Sequence, residues 1–287
     1  MNRSPLIGSL LFINLIIQLL TGLLLSCYYN SYYLIAFNSV CHIIHDIESG
    51  WLIRVIHIIG SSLFMLFLLL HYIRGYYRII TINSGYAIIS YYIGLVILLL
   101  SLITSFIGYT SNWGQMSYWG MTVIISILHS IPIIGDYIAI IIWPSYIIGI
   151  SRLFTIHFII GYIMCYIIFI HIIILHAYSS SNTLINNSSS LLFPFYCYFF
   201  KDVSYMSYLL LIINCLLLIE PDILGNCDNN LIADPFTTPH NILPEWYSSS
   251  FHCTSRSYPS KNIGVIIVII LFIHLFLLIS NYSMYIN

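Results

Sequence analysis

Apolar residues in this chain run in long blocks instead of alternating with polar ones. The blocks approach the roughly 20 residues a helix needs to cross about 30 Å of hydrocarbon. Six stand out, near Leu6–Tyr28, Trp51–Ile73, Ala87–Tyr109, Leu153–His176, Tyr205–Ile219 with an apolar lead-in from Leu191, and Ile263–Ser280. Each predicts a membrane-spanning helix, because a backbone without water must satisfy its own polar groups. Between the third and fourth blocks, Trp113–Trp143 is apolar but broken by Gly114, Gly120, Pro132, Gly135 and Pro144, which predicts short helices at the interface. Ser and Asn gather in Ser179–Ser190, and the long polar segment Glu220–Lys261 holds five of the nine acidic residues, so these two are aqueous. The pattern divides the chain into residues 1–178, a four-span bundle with the interfacial segment 113–143, and residues 179–287, with two further spans.

If the spans alternate, the loops after the first, third and fifth share one side. That side collects Asp46, Glu48, Asp136, Glu220, Asp222, Asp228, Asp234 and Glu245, and the other keeps only Asp202. Lys and Arg divide evenly, so the positive-inside rule leaves orientation open. Composition acts by exclusion. Of 287 residues 60% are hydrophobic and 6% charged, against about 25% charged in a soluble domain. The chain is therefore neither a soluble globule nor a disordered tail. Its 8 Lys and Arg against 9 Asp and Glu make no basic face for nucleic acid; the partner is the bilayer. The 7 cysteines form no CxxC or CxxCH, which argues against a zinc or thioredoxin-type motif and means that any haem is held non-covalently. Met1 to Pro5 has no cleavable-signal pattern, so the first block reads as a permanent span.

The chemistry lies in paired histidines. His57 and His71 stand 14 residues apart in the second span, and His157 and His171 are 14 apart in the fourth. Fourteen steps return to within roughly 40° of the same helix face, about 21 Å further along the axis. Each helix thus presents two imidazoles on one stripe, and two parallel spans would set them level, His57 with His157 and His71 with His171. Bis-imidazole ligation of two stacked haem irons explains all four. Gly8 and Gly22 in the first span and Gly94 and Gly108 in the third repeat the interval of 14. A glycine there lets a flat macrocycle lie against the backbone, at a cost of about 1 kcal/mol relative to Ala. Arg54, Arg74 and Arg152 flank the histidines and suit anionic propionates. His129 and His274 have no such partners and read as hydrogen-bonded packing residues. The fold class is an all-α integral membrane protein, a dihaem four-helix transmembrane bundle plus two further transmembrane helices.

These residues resemble the cytochrome b family, the haem-bearing core of quinol:cytochrome c reductase. The likeness runs from about Gly8 to Gly264. It is carried by Gly-Tyr and Trp-Gly-Gln-Met-Ser-Tyr-Trp-Gly within Gly108–Gly120, Ser-Ile-Pro-Ile-Ile-Gly at Ser130–Gly135, Pro-Glu-Trp-Tyr at Pro244–Tyr247, and Arg-Ser-Tyr-Pro-Ser-Lys at Arg256–Lys261. The resemblance implies two non-covalent b-type haems, the low-potential one on His57 and His157 and the high-potential one on His71 and His171. It implies ubiquinol oxidation beside Glu245, a proton acceptor, and Tyr109, and ubiquinone reduction at the other face by His176, Lys201 and Asp202, with Ser9 nearby. It further implies a Rieske-type iron-sulfur protein, a c-type cytochrome and a second copy of the chain as partners, in the mitochondrial inner membrane.

The chain departs from the family at Asn112, where a proline is usual, at His252 for a tyrosine, and at Phe195-Tyr196 for His-Pro. The family has eight spans where six are found here. Two rival readings are a dihaem anchor with a single quinone site and a non-redox membrane subunit.

Overall fold

Ile-rich sequence is a middling helix former in water, yet in a bilayer the helix is the one local structure that leaves no backbone group unpaired. The computed structural model describes residues 7–81, 85–177, 195–221 and 223–284. In chain order its helices are α1 (Ile7–Ser26), α2 (Ala36–His45), α3 (Gly50–Thr81), α4 (Gly85–Ser111), α5 (Gln115–His129), α6 (Gly135–Ile142), α7 (Tyr146–Ala177), α8 (Phe195–Ile219), α9 (Ser249–Arg256) and α10 (Lys261–Met284). Short 3₁₀ turns lie at Cys227–Asn230 and Trp246–Ser248. Among the described residues there is no strand, only an isolated bridge between Gly114 and Ile232.

All six expected spans fall on helices. Five of them, α1, α3, α4, α7 and α8, are long and apolar enough to cross a membrane, and the apolar stretch of α10 is Lys261–Leu277. The helices α3 and α7 reach 32 residues each, about 48 Å at 1.5 Å per residue, so their ends stand clear of the hydrocarbon. The interrupted segment forms α5 and α6, the expected short helices. The polar loop Ser179–Ser190, residues 191–194 of the lead-in, and Arg3 lie outside the described residues, while the rest of the lead-in belongs to α8.

Helix α1 packs chiefly on α3, and α4 on α7. The two pairs close around a core of Leu15, Phe64, Met65, Leu68, Ile97, Leu98 and Met164. Phe64 is seven residues from both His57 and His71, and Met164 seven from both His157 and His171. The core therefore fills the middle of the bundle and leaves a histidine tier above and below. A second cluster, Leu10, Val55, Ile59 and Leu63 with Leu209 and Ile213, seats α8 against α1 and α3. Hydroxyls inside the spans bond back to their own helix, as Thr104 does to Leu100 and Ser101 to Ile97, each at 2.7 Å. This is how a bilayer tolerates them.

At one end of α4 the chain is knotted to the loop that follows α8. Trp113 takes a left-handed φ of 53°, and Asn112 Nδ2 donates to the Asn229 carbonyl at 3.1 Å. The Asn112 side chain thus ties this bend. The Asn229 Oδ1 accepts from both Ser117 N (2.7 Å) and Ser117 Oγ (3.0 Å), and Gln115 N donates to the Leu231 carbonyl at 2.9 Å. Gly114 has to be glycine here, since a Cβ would stand 2.5 Å from the Asn229 carbonyl oxygen. Removing the Asn229 side chain strands a buried Ser117 N–H, which costs about 1–3 kcal/mol. Asn229→Ala should therefore make the 227–237 loop more susceptible to limited proteolysis, while Asn229→Asp, which keeps the acceptor, should stay close to wild type.

Candidate functional site

The four histidines meet in two level pairs. His57 and His157 have ring centroids 6.4 Å apart with an interplanar angle of 70°, and His71 and His171 are 6.4 Å apart at 73°. This gap accepts one metal ion with a bond of about 2 Å to each imidazole nitrogen. Among the described residues no group of three His, Cys, Asp or Glu comes together. Two imidazoles occupy two coordination positions and leave the rest to the group bound between them.

Hydrogen bonds choose which nitrogen faces the gap. The Nδ1–H of His157 donates to the Thr104 carbonyl at 2.9 Å. Thr21 Oγ1 donates to the Ile17 carbonyl at 2.7 Å, so its oxygen accepts from His57 Nδ1–H at 2.9 Å. His171 Nδ1 stands 3.4 Å from Ser90 Oγ. With Nδ1 engaged, Nε2 keeps its lone pair for a metal, the arrangement that orients ligating histidines generally. His71 breaks the pattern: its Nδ1 is buried without a partner. The residues present fit a haem at both levels.

Each glycine faces one histidine. A Cβ at Gly22 would lie 3.2 Å from His57 Cε1, at Gly108 2.7 Å from His157 Cε1, and at Gly8 and Gly94 3.7 Å from the Cε1 atoms of His71 and His171. Gly22 and Gly108 thus make room for the imidazole itself, whereas at Gly8 and Gly94 a Cβ would meet the ring at ordinary contact distance.

A cavity of about 310 Å³ opens beside the first pair, lined by Gly22, Arg54, His57, Gly108, Tyr109, His157, Glu245 and Tyr247 among others. Residues more than 130 positions apart in sequence, Tyr109 and Glu245, therefore share one chamber with a histidine pair. Burial pushes the Glu245 carboxyl up to about 7. Tyr247, also buried and beside that carboxylate, has its phenol raised. Tyr247 belongs to the Pro-Glu-Trp-Tyr motif, yet its place in the chamber depends on the fold. His252 is not among the chamber's lining residues; burial and then Arg256 lower its pKa.

At the other end, Ser9 Oγ donates to Asp202 Oδ2 at 3.3 Å, joining α1 to α8. Asp202 Oδ1 is buried without a partner. Lys201 and Asp202 lie within α8, not in a loop, and Lys201 and His176 are exposed. Arg74 sits one turn beyond His71 on α3. Arg152 departs from expectation. Its Nη1 donates to the Ile141 carbonyl at 2.5 Å, so it closes the end of α6 instead of turning into the chamber. His129 is likewise no intramembrane packing residue, since it pairs with Asp136 at 2.7 Å in an exposed position. Asn14, Gln18 and Thr21 were not singled out in the sequence. Their spacing of i, i+4 and i+7 in an otherwise apolar span was the available signal.

Two tiers of paired imidazoles inside a bundle of four apolar helices define an integral membrane protein with a pair of facing histidines at each of two depths. Residues 1–179 match the family Cytochrome b/b6/petB, and residues 232–284 match Cytochrome b(C-terminal)/b6/petD. Cytochrome b of Arabidopsis thaliana is 38% identical over 284 residues, 98% of this chain and 72% of that protein. The Solanum tuberosum protein matches to the same extent, and that of Oryza sativa subsp. japonica is 37% identical over 98% of this chain and 71% of its own length. A chain of a solved hyperthermophilic respiratory Complex III superposes with a TM-score of 0.86 at 27% identity, covering 96% of this chain and 74% of that one.

The chain belongs to the cytochrome b family. It is a haem-binding, multi-pass membrane protein, the electron-transfer core subunit of a respiratory quinol:cytochrome c oxidoreductase and part of a multi-subunit complex.

The closest of the glycine contacts gives a direct test. Gly108→Ala should displace the His157 ring and lower the b-type absorbance in a reduced-minus-oxidised spectrum. Gly120→Ala, on α5 with open space around its Cβ position and outside the chamber's lining, should leave the spectrum unchanged.

Proposed function

We propose that the chain binds two b-type haems, one between His57 and His157 and one between His71 and His171, and couples quinol oxidation at one membrane face to quinone reduction at the other. The observation that carries this reading is the repetition of one geometry at two levels: equal 6.4 Å separations, each ring laid over a glycine. When bound, the haems supply one-electron redox chemistry; the protein supplies position and protons. The apolar layer of Leu15, Phe64, Ile97, Leu98 and Met164 keeps water from the path between the two levels. Arg54, which lines the chamber, and Arg74 are placed to meet propionates, and Arg152 supports the same end of the bundle through α6.

A quinol gives up two protons as it loses two electrons, so its oxidation site needs a base that is free near neutral pH. Glu245 answers this need, because a carboxyl with a pKa of about 7 takes a proton readily and releases it again. It accepts a proton from one quinol hydroxyl, passes it to the aqueous loop and is then free to take the second, while Tyr109 and Tyr247 shape the chamber wall. At the opposite end Asp202, with one buried oxygen free of protein partners, and the exposed His176 and Lys201 deliver the protons that quinone reduction consumes. Ser9 holds the Asp202 carboxylate in place. One of the two electrons leaves through a Rieske-type iron-sulfur protein to a c-type cytochrome, and the other would cross the bundle by way of the two histidine levels to the quinone at the opposite face, within a dimer of the complex. Ubiquinone as the quinone and the mitochondrial inner membrane as the location follow from the family resemblance.

Two experiments check the proposal. Optical redox titration of the purified complex should resolve two b-type components, one lost in His71→Ala and the other in His157→Ala. For the proton acceptor, the active form of Glu245 is the ionised one, so quinol:cytochrome c turnover should rise with pH through about 7 and fall below it. Glu245→Gln should lower turnover by about 10²-fold or more and abolish that limb while both b components remain.

A further inference from the structure

The seam between α1 and α3 carries polar side chains that the redox chemistry does not use. Asn14 is fully buried, 0% exposed, and its Nδ2 donates to the Gly60 carbonyl at 2.9 Å. One turn along α1, the Gln18 amide faces both partners of a single peptide hydrogen bond of α3. Its nitrogen donates to the His57 carbonyl at 3.0 Å and its oxygen accepts from Ser61 N at 3.2 Å. One turn further, Thr21 accepts from the His57 ring at 2.9 Å. Gly60 makes this approach feasible, because a Cβ there would coincide with the Gln18 amide and stand 3.3 Å from Asn14 Oδ1.

Apolar helices in a bilayer slide past one another with little to fix their register, whereas a buried amide that has lost water is held firmly by its partner. We infer that Asn14, Gln18 and Gly60 form a polar lock that sets the depth of α1 against α3. The lock seats Thr21 on the His57 ring and Gly22 beneath it. All three are positioning residues: none touches the metal. They act through Thr21, whose hydrogen bond to Nδ1–H makes the imidazole a stronger donor and favours the oxidised metal.

The inference rests on the reading of His57 as a haem ligand, and the test separates the two. Potentiometric titration of the b-type spectrum of the purified complex would compare wild type with His57→Ala, Asn14→Leu, Gln18→Leu, Gly60→Ala and the double variant Gly60→Ala with Gln18→Leu. The component that His57→Ala removes should move to higher potential in the lock variants, by up to tenfold in its reduction equilibrium, about 59 mV for a one-electron couple. The other component should stay where it is. Gly60→Ala and Gln18→Leu disable the same contact, so their shifts should not add. If Gly60→Ala does not assemble, Gln18→Asn, one methylene too short to reach, carries the same expectation. An unmoved or additive potential in assembled complex overturns the lock and leaves the ligand assignment standing. A full set of b components in His57→Ala overturns the ligand assignment itself.

Discussion

An imidazole inside a bilayer is costly unless its ring nitrogens find partners, and three of the four histidines here have one at Nδ1. At His57 and His157 one nitrogen is taken by an oxygen of the neighbouring helix, from Thr21 and Thr104, so the other turns to the gap between the two rings. Such hydrogen bonds need close backbones, and close backbones need residues without a Cβ. Gly22 and Gly108 are therefore consequences of the same demand that places Thr21 and Thr104. Helix pairing follows: α1 must lie on α3 and α4 on α7, since each pair joins a glycine helix to a histidine helix.

Keeping two levels apart is a separate task, and apolar packing performs it. Fourteen residues between histidines leave about 21 Å of helix, and the large side chains Phe64, Met65 and Met164 fill that length in the bundle centre. A dry, low-dielectric layer strengthens the electrostatic influence of every polar group beside it. The few such groups present gain weight accordingly, notably the unpartnered Asn14 Oδ1 and His71 Nδ1.

The chamber beside the first pair shows how a loop acquires chemistry. Glu245 is an ordinary acid in sequence, and burial against Tyr109 and Tyr247 raises it into the neutral range. A knot of Asn112, Gln115, Ser117 and Asn229 fastens the loop after α8 to the α4–α5 junction. The Asn112 amide bonds to a loop carbonyl at the bend itself, so the turn and the loop hold each other.

The sequence alone determined the spans, the interfacial helices and the two histidine levels, because bilayer thickness dictates block length and the 3.6-residue period turns a spacing of 14 into a shared face. It also carried the Pro-Glu-Trp-Tyr motif. Tertiary structure alone decided which oxygen engages each Nδ1, that Arg152 closes α6 while Arg54 lines the chamber, and that Lys201 and Asp202 ride within a helix. It also brought Asn14 and Gln18 onto the α3 backbone. The physical reason is that periodicity fixes the direction of a side chain on its own helix, whereas a hydrogen bond depends on how near and at what depth the next helix lies. That depth is set by contacts distributed along the whole seam, which no local pattern records.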